Sequence, residues 1–375
     1  MNRKWVFIII AYALLLLGIG GQVLITTENL QGEVAVEENV FSAEGFWNGT
    51  WQAAFEDSFS NELKIREWLI PVRNQVMYSV FNKSPNKNIV IGKDRNLYEE
   101  EYVCFESQIY APMTAENVNV LVEKLDTIDK ALDAKNKHLF IFITPSKAEI
   151  YREDVPDKFN MIAPTEQQES TYSLFINALN QTDIAYYDST EDVRAMKDNV
   201  EFRVFPKTGT HWSRVTGNMC AVRLADAMEE QLAINLPEIT VSYQECEEPL
   251  HPDTDIFNSL NLLEKAEGPF YEPIVKVVDS DREELTILAR GGSFMGQSLS
   301  CLTNNNFFEN NYYLENTVVR RSEDSYAGTF NSYDELPIGE MIEKSDIIFL
   351  EVNEEAVNRM SFGFIDYLLD NGLVY

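Results

Sequence analysis

Histidine is the scarcest chemically useful side chain in this protein, with three in 375 residues, at positions 138, 211 and 251. Cysteine is almost as rare. Its four copies, Cys104, Cys220, Cys246 and Cys301, show no C-x-x-C pair and no metal-ligand spacing, so neither a metal nor any other cofactor is expected. Positive charge is also in short supply. Thirty Lys and Arg face 61 Asp and Glu, and a net charge of −31 repels phosphate backbones, which removes nucleic acid from the expected partners. Apolar residues are not lacking. At 45% hydrophobic content a chain of this length buries a substantial core, which excludes disorder and fits one large domain, alone or with an appendage.

The longest uncharged stretch runs from Trp5 to Thr27, and its apolar part is about the 20 residues that a helix needs to cross a bilayer. Arg3 and Lys4 precede it, and Glu28 is the first charge beyond it. Positive flanks stay in the cytoplasm, so residues 1–27 read as a cytoplasmic stub and a transmembrane anchor. The body then lies on the extracytoplasmic side of a single-pass cell-membrane protein. A cleaved signal peptide and a buried helix are the alternatives; the run is long for a signal peptide and lacks a clear A-x-A site. In that compartment the cysteines form one or two disulfides or stay as buried thiols, and the sequence favours neither.

Residues 28–100 read as a helical lead-in. Its stretch from Phe46 to Phe81 spaces aromatic residues three to four apart, so Trp47, Trp51 and Trp68 are either a carbohydrate platform or buried packing. Ile89–Ile91 is a short strand that turns at Gly92–Asp94 and re-enters as another. From 101 onward strands alternate with helices. Thr114 caps a helix whose Val118, Leu121, Val122, Leu125, Ile128 and Leu132 recur at helical steps. HLFIFIT (138–144) is the continuous apolar run of a strand covered on both faces. Helix 165–180, strand 183–188, helix 213–231, strand 284–290, helix 295–303 and strand 345–353 follow. The pattern predicts a layered α/β domain over 101–375. Residues 232–280, with Pro237, Pro249, Pro252 and Pro273, read as an insertion or long connection without an assignable role.

The sharpest local feature is ELTILAR-Gly291-Gly292-Ser293-Phe294, a strand emptying through two glycines onto a serine that opens a helix. Glycines permit the tight turn, and a helix N-terminus presents unpaired N–H groups where an oxyanion would form. Position 295 is Met, so this is not the G-x-S-x-G elbow. A capping serine after a glycine turn is the plain alternative. A nucleophilic serine needs an imidazole, and the search is short. His138 begins an apolar strand and His251 lies in the proline-rich connection. His211 occupies a glycine-containing turn that runs into an amphipathic helix, so it can reach the same sheet edge as Ser293, or can merely pack beside Trp212.

Phe205-Pro206-Lys207-Thr208-Gly209-Thr210-His211-Trp212-Ser213 resembles the D-x-H-W block of the AlgX/AlgJ polysaccharide O-acetyltransferases, which are related to the DHHW proteins. Ile143 to Tyr151 resembles their P-x-K…Y block, Gly92 to Tyr98 their G-x-x-x-x-L-[FY] block, and Gly291 to Phe294 their G-[DNT]-S-F block. The four occur in the family's order. The resemblance implies a three-layer, SGNH-hydrolase-like (flavodoxin-like) α/β domain, circularly permuted so that histidine precedes serine. It implies Ser293 as nucleophile, His211 as general base, and Gly292, Lys147, Tyr151 and Trp212 as oxyanion or substrate-binding residues. Lys147 and Tyr151 equally close a strand end, and Trp212 equally packs in a core. The family's carboxylate stands two residues before the histidine, where this chain has Gly209. Three readings follow: a Ser–His pair, an acid from elsewhere such as Asp188 or Glu351, or a domain that binds glycan without catalysis. Glu354, near Glu351, serves a site or a helix N-terminus equally. The implied function is an extracytoplasmic O-acetyltransferase working on a polysaccharide beside a membrane-bound O-acyltransferase, with an acetylesterase or a glycan-binding scaffold as alternatives.

Overall fold

A computed structural model describes residues 43–52, 64–278 and 283–374. The expected anchor at 5–27 lies outside them, and among the described residues no helix is long and apolar enough to cross a membrane. The chain divides into two compact units, residues up to Lys87 with Ile256–Ala266, and Asn88–Asp255 with Glu267–Tyr375. The main body thus begins at Asn88 rather than at 101, because the 89–99 hairpin belongs to it. In the smaller unit, helix Lys64–Ser79 places Asn74 Nδ2 2.8 Å from the Leu260 carbonyl and Tyr78 edge-on to Phe257. Trp47 is 85% exposed and Trp68 50% exposed, so the aromatic spacing there does not mark a buried face.

In the larger unit β1 (Ile89–Ile91) pairs antiparallel with β2 (Leu97–Glu99). The central sheet draws on β3 (His138–Thr144), β4 (Ala185–Asp188), β7 (Thr286–Gly291), β8 (Asn310–Glu315), β9 (Val318–Arg321), β10 (Tyr326–Thr329) and β11 (Ile347–Asn353). Its order is β10-β9-β8-β7-β11-β3-β4, with the five strands from β8 to β4 parallel. Counted from β7 as first strand, those five run 2-1-3-4-5, the flavodoxin-like order. The chain therefore enters this sheet at its fourth strand, which is the circular permutation expected from histidine preceding serine.

The three layers follow from strand periodicity. Side chains alternate across a strand, so Phe140 and Phe142 of β3 join the core that includes helix Arg214–Leu232, while Leu139, Ile141 and Ile143 join the one with helix Ala115–Asp133. Thr114 caps the latter helix, its side chain accepting from the Asn117 amide. Two regions were not foreseen. The edge meander β8–β10 was missed because its strands are short and polar on one side. The 232–280 stretch, predicted as an unassigned connection, contains an antiparallel hairpin of β5 (Glu238–Cys246) and β6 (Phe270–Val278), with residues 247–269 between its arms. All four cysteines are free thiols.

Candidate active site

In an open α/β sheet the crevice forms beyond the carboxyl ends of the strands where strand order reverses, here between β7 and β11. Ser293 stands there, two residues past the end of β7 and just before helix Met295–Asn304. His211 reaches the same edge from the turn before helix Arg214–Leu232, which Ser213 caps. The two helices meet closely. A Cβ on Gly217 would lie 2.3 Å from Gln297 Cβ, and Ser298 Oγ donates to the Gly217 carbonyl at 2.8 Å, so only glycine allows the approach that brings their N-termini together. His211 Nε2 is 2.7 Å from Ser293 Oγ.

The other imidazole nitrogen, Nδ1, is 2.5 Å from Oδ2 of Asp255, a residue of the segment between β5 and β6. Asp255 Oδ1 accepts from the Thr210 amide at 2.8 Å, so both carboxylate oxygens are committed to the histidine turn. Thr208 Oγ1 also donates to the Asp253 carbonyl at 2.6 Å. Gly209 lies beneath this crossing chain. A Cβ there would meet the Pro252 and Asp253 carbonyl oxygens at 2.9 and 3.0 Å, so position 209 has no room for any side chain. The acid absent at 209 and the glycine present there have one cause: a backbone segment passes over the turn and brings its own carboxylate. Phe294 closes the site from behind, its ring centroid 4.8 Å from that of His211.

The two acids singled out from the sequence are placed elsewhere. Asp188 accepts from the Tyr172 hydroxyl at 2.5 Å and the Thr190 amide at 3.0 Å, capping a helix start. Glu351 lies at the switch point but turns away from the imidazole. Its Oε2 accepts from the Gly292 amide at 2.7 Å and its Oε1 from Thr144 Oγ1 at 2.8 Å, and burial pushes its carboxyl up to about 7. The Gly292 N–H is thereby occupied. Among the described residues the Ser293 and Phe294 amides, at the N-terminal end of the helix, have no backbone acceptor and are the donors left for an oxyanion. Glu354 accepts from the Ser146 amide at 2.8 Å, the helix-start role.

A family model described as an SGNH hydrolase-like domain of the acetyltransferase AlgX matches residues 89–328. The chain belongs to this AlgX family. Two curated relatives are probable alginate O-acetylases AlgJ. That of Pseudomonas fluorescens is 25% identical over 62% of this chain and 56% of its own, and that of Pseudomonas aeruginosa 25% identical over 51% and 45%. The chain spans about half the length of these relatives. The solved O-acetyltransferase domain of Pseudomonas putida AlgJ is 17% identical with a TM-score of 0.47, covering 76% of this chain and 99% of that one.

The remaining motif residues of this AlgX-family domain are structural. Lys147 is buried, and its three N–H groups are shared among the carbonyls of Leu97, Pro206, Lys207 and Gly209, which lie 2.5 to 3.2 Å from Nζ. Desolvation holds its ammonium well below the ordinary lysine range. It ties β2 to the histidine turn. Tyr151 is sandwiched between the Lys197 ammonium and the Arg203 guanidinium, 4.5 and 3.9 Å from its ring centroid. Trp212 is fully buried, and its Nε1 donates to Gln297 Oε1 at 3.0 Å. Glu99, unremarked in the sequence, is a further carboxylate of this region; burial raises its pKa, and the nearby His211 opposes the rise. Asp255 carried no local signal, since it lies 44 residues from His211 in sequence.

Among the described residues, two clefts have Ser293 in their walls. One, of about 450 Å³, has His211 in its wall together with Arg214, Asn218, Gln297, Asn304 and Arg320. The other, of about 240 Å³, is bounded by the apolar Tyr102, Phe294 and Phe362 and the polar Glu351, Asn353 and Arg359, and does not include His211.

Proposed function

We propose that the larger unit is an O-acetyltransferase that acetylates hydroxyl groups of a cell-surface or secreted polysaccharide through an ester on Ser293. The observation carrying this reading is the continuous run from Asp255 through His211 to Ser293 at 2.5 and 2.7 Å. Asp255 accepts a hydrogen bond from Nδ1–H, which keeps the proton on Nδ1 and leaves Nε2 basic toward the serine. Ser293 Oγ attacks the acyl carbonyl carbon while its proton passes to Nε2. The developing oxyanion faces the amide end of the Met295–Asn304 helix. The leaving oxygen takes the proton from Nε2, and the acyl group remains on Ser293. A sugar hydroxyl then attacks, gives its proton to Nε2, and releases Oγ, which recovers that proton. Family membership and the AlgJ relatives support acyl transfer to a glycan as the setting. A binding-only domain was favoured by the missing carboxylate at 209, and Asp255 supplies a carboxylate by another route.

Ser293→Ala is expected to fold normally and to lose turnover of p-nitrophenyl acetate; turnover unchanged in that variant contradicts the reading. The Arg3 and Lys4 flank against Glu28 supports an extracytoplasmic position held by residues 5–27, beside a membrane-bound O-acyltransferase that supplies acetyl groups. Protease added to intact protoplasts is expected to digest the domain, and complete protection contradicts that placement.

A further inference from the structure

A serine acyltransferase has three things to place around its nucleophile: the acyl group, the leaving group and the acceptor. The base decides which goes where. Nε2 of His211 protonates the leaving oxygen and deprotonates the acceptor, so both must stand on the histidine side of Ser293. That side is the 450 Å³ cleft, whose wall includes His211. The acyl chain points the other way, and the cleft found there is smaller, with Tyr102, Phe294, Met360, Ala356 and Phe362 as its apolar wall and Asn316, Glu351, Asn353 and Arg359 as its polar one.

The wall is built at a conformational cost. Ser361, Phe362 and Gly363 all have positive φ, at 56°, 53° and 79°, a run that non-glycine residues avoid. A hydrogen-bonded pair holds it: Arg290 Nε donates to the Tyr333 hydroxyl at 2.8 Å, and that hydroxyl is 3.0 and 3.1 Å from the Ser361 and Phe362 carbonyls. The Arg290 guanidinium lies 4.6 Å from the Phe362 ring centroid. What the strained turn delivers is a phenyl ring, 42% exposed, beside the nucleophile. Opposite it a Cβ on Gly292 would touch both Glu351 Oε2 at 3.6 Å and Phe362 Cζ at 3.7 Å, so the glycine keeps the gap beside the ring clear.

Resting on the acyl-transfer reading above, we propose that this second cleft is the acyl pocket, that Phe362 and Ala356 set its depth, and that it accepts acyl chains longer than acetyl. The volume of about 240 Å³ exceeds the roughly 150 Å³ of a protein cavity that holds benzene, whereas an acetyl group has only three heavy atoms. Acyl esters up to butyryl therefore fit without rearrangement, and the same proton path through His211 transfers them.

The test is the chain-length profile of the full chain on p-nitrophenyl acetate, butyrate and hexanoate, with Ser293→Ala as background and thermal melts as the folding check. The butyrate to acetate ratio of kcat/KM is expected within about tenfold of unity in the native chain. Ala356→Leu is expected to lower that ratio at least tenfold, and Phe362→Ala to raise the hexanoate to acetate ratio by a similar factor. Arg320→Ala and Asn304→Ala, in the histidine-side cleft, should leave both ratios unchanged. Serine-dependent turnover with the same ratios in all variants overturns the pocket and leaves the acyl-transfer reading standing. Turnover that persists in Ser293→Ala overturns both.

Discussion

Ser293 and His211 reach the site in one way, and Asp255 in another. Ser293 and His211 both stand at the N-terminal ends of helices that cover one sheet, each positioned within a few residues of local sequence. Asp255 comes from the segment between the arms of a hairpin outside that sheet, held against the histidine turn by three contacts at Thr208 and Thr210 together with His211. The difference teaches that two members of a hydrogen-bonded series can be fixed by turn chemistry while the third depends on a long-range crossing. The glycine at 209 is the mark that the crossing leaves in the local sequence.

The comparison breaks most severely if the locally placed residue is removed. Ser293→Ala should bring esterase turnover to background, a loss of about four orders of magnitude or more, measured with p-nitrophenyl acetate. Next is the glycine. Gly209→Asp would restore the family's residue at that position, yet a Cβ within 3.0 Å of two backbone oxygens must push the 252–255 segment away. The expected result is a rate at least tenfold lower and a melting temperature several degrees lower; a faster enzyme would show that the crossing segment is dispensable.

Lys147→Met tests what holds the turn from below. It leaves several buried carbonyls without their donor, at about 1–3 kcal/mol for each group that water cannot reach. Thermal or urea unfolding should show a loss of that order, and rescue by Lys147→Arg is not expected in so enclosed a space. Smallest is Glu351→Gln. A carboxyl raised from its ordinary value near 4.5 to about 7 binds more protons folded than unfolded, so the native chain loses stability as pH rises through that window and is flat above it. The amide keeps an acceptor for Gly292 and cannot ionise. The variant should gain on the native chain between pH 5 and 8, by on the order of 3 kcal/mol at most, read as the difference in melting temperature; a constant difference across that range would contradict the buried carboxyl.

Much of the body was legible because its signals are local. HLFIFIT predicted β3 residue for residue, and the strand–Gly–Gly–Ser turn and the scarcity of histidine led to the pair that the structure brings to 2.7 Å. Asp188 and Glu351 were reasonable candidates for the acid because both lie on strands of the same sheet and near its carboxyl edge. They fail on direction: Asp188 caps a helix, and Glu351 is held by Gly292 and Thr144. Asp255 had no periodicity, motif or spacing to mark it. Its one trace, the glycine at 209, reads in sequence as a defect and in three dimensions as clearance. Lys147 and Trp212 carried the opposite lesson, since residues that resemble a binding motif are consumed by carbonyls and by core packing.

The most direct test of the account compares the rate at which a fluorophosphonate labels Ser293 in the native chain, in Asp255→Asn and in Asp188→Asn. If Asp255 orients His211, its amide variant should label about three to four orders of magnitude more slowly at an unchanged melting temperature, while Asp188→Asn labels at the native rate. Native-rate labelling in Asp255→Asn would contradict the account.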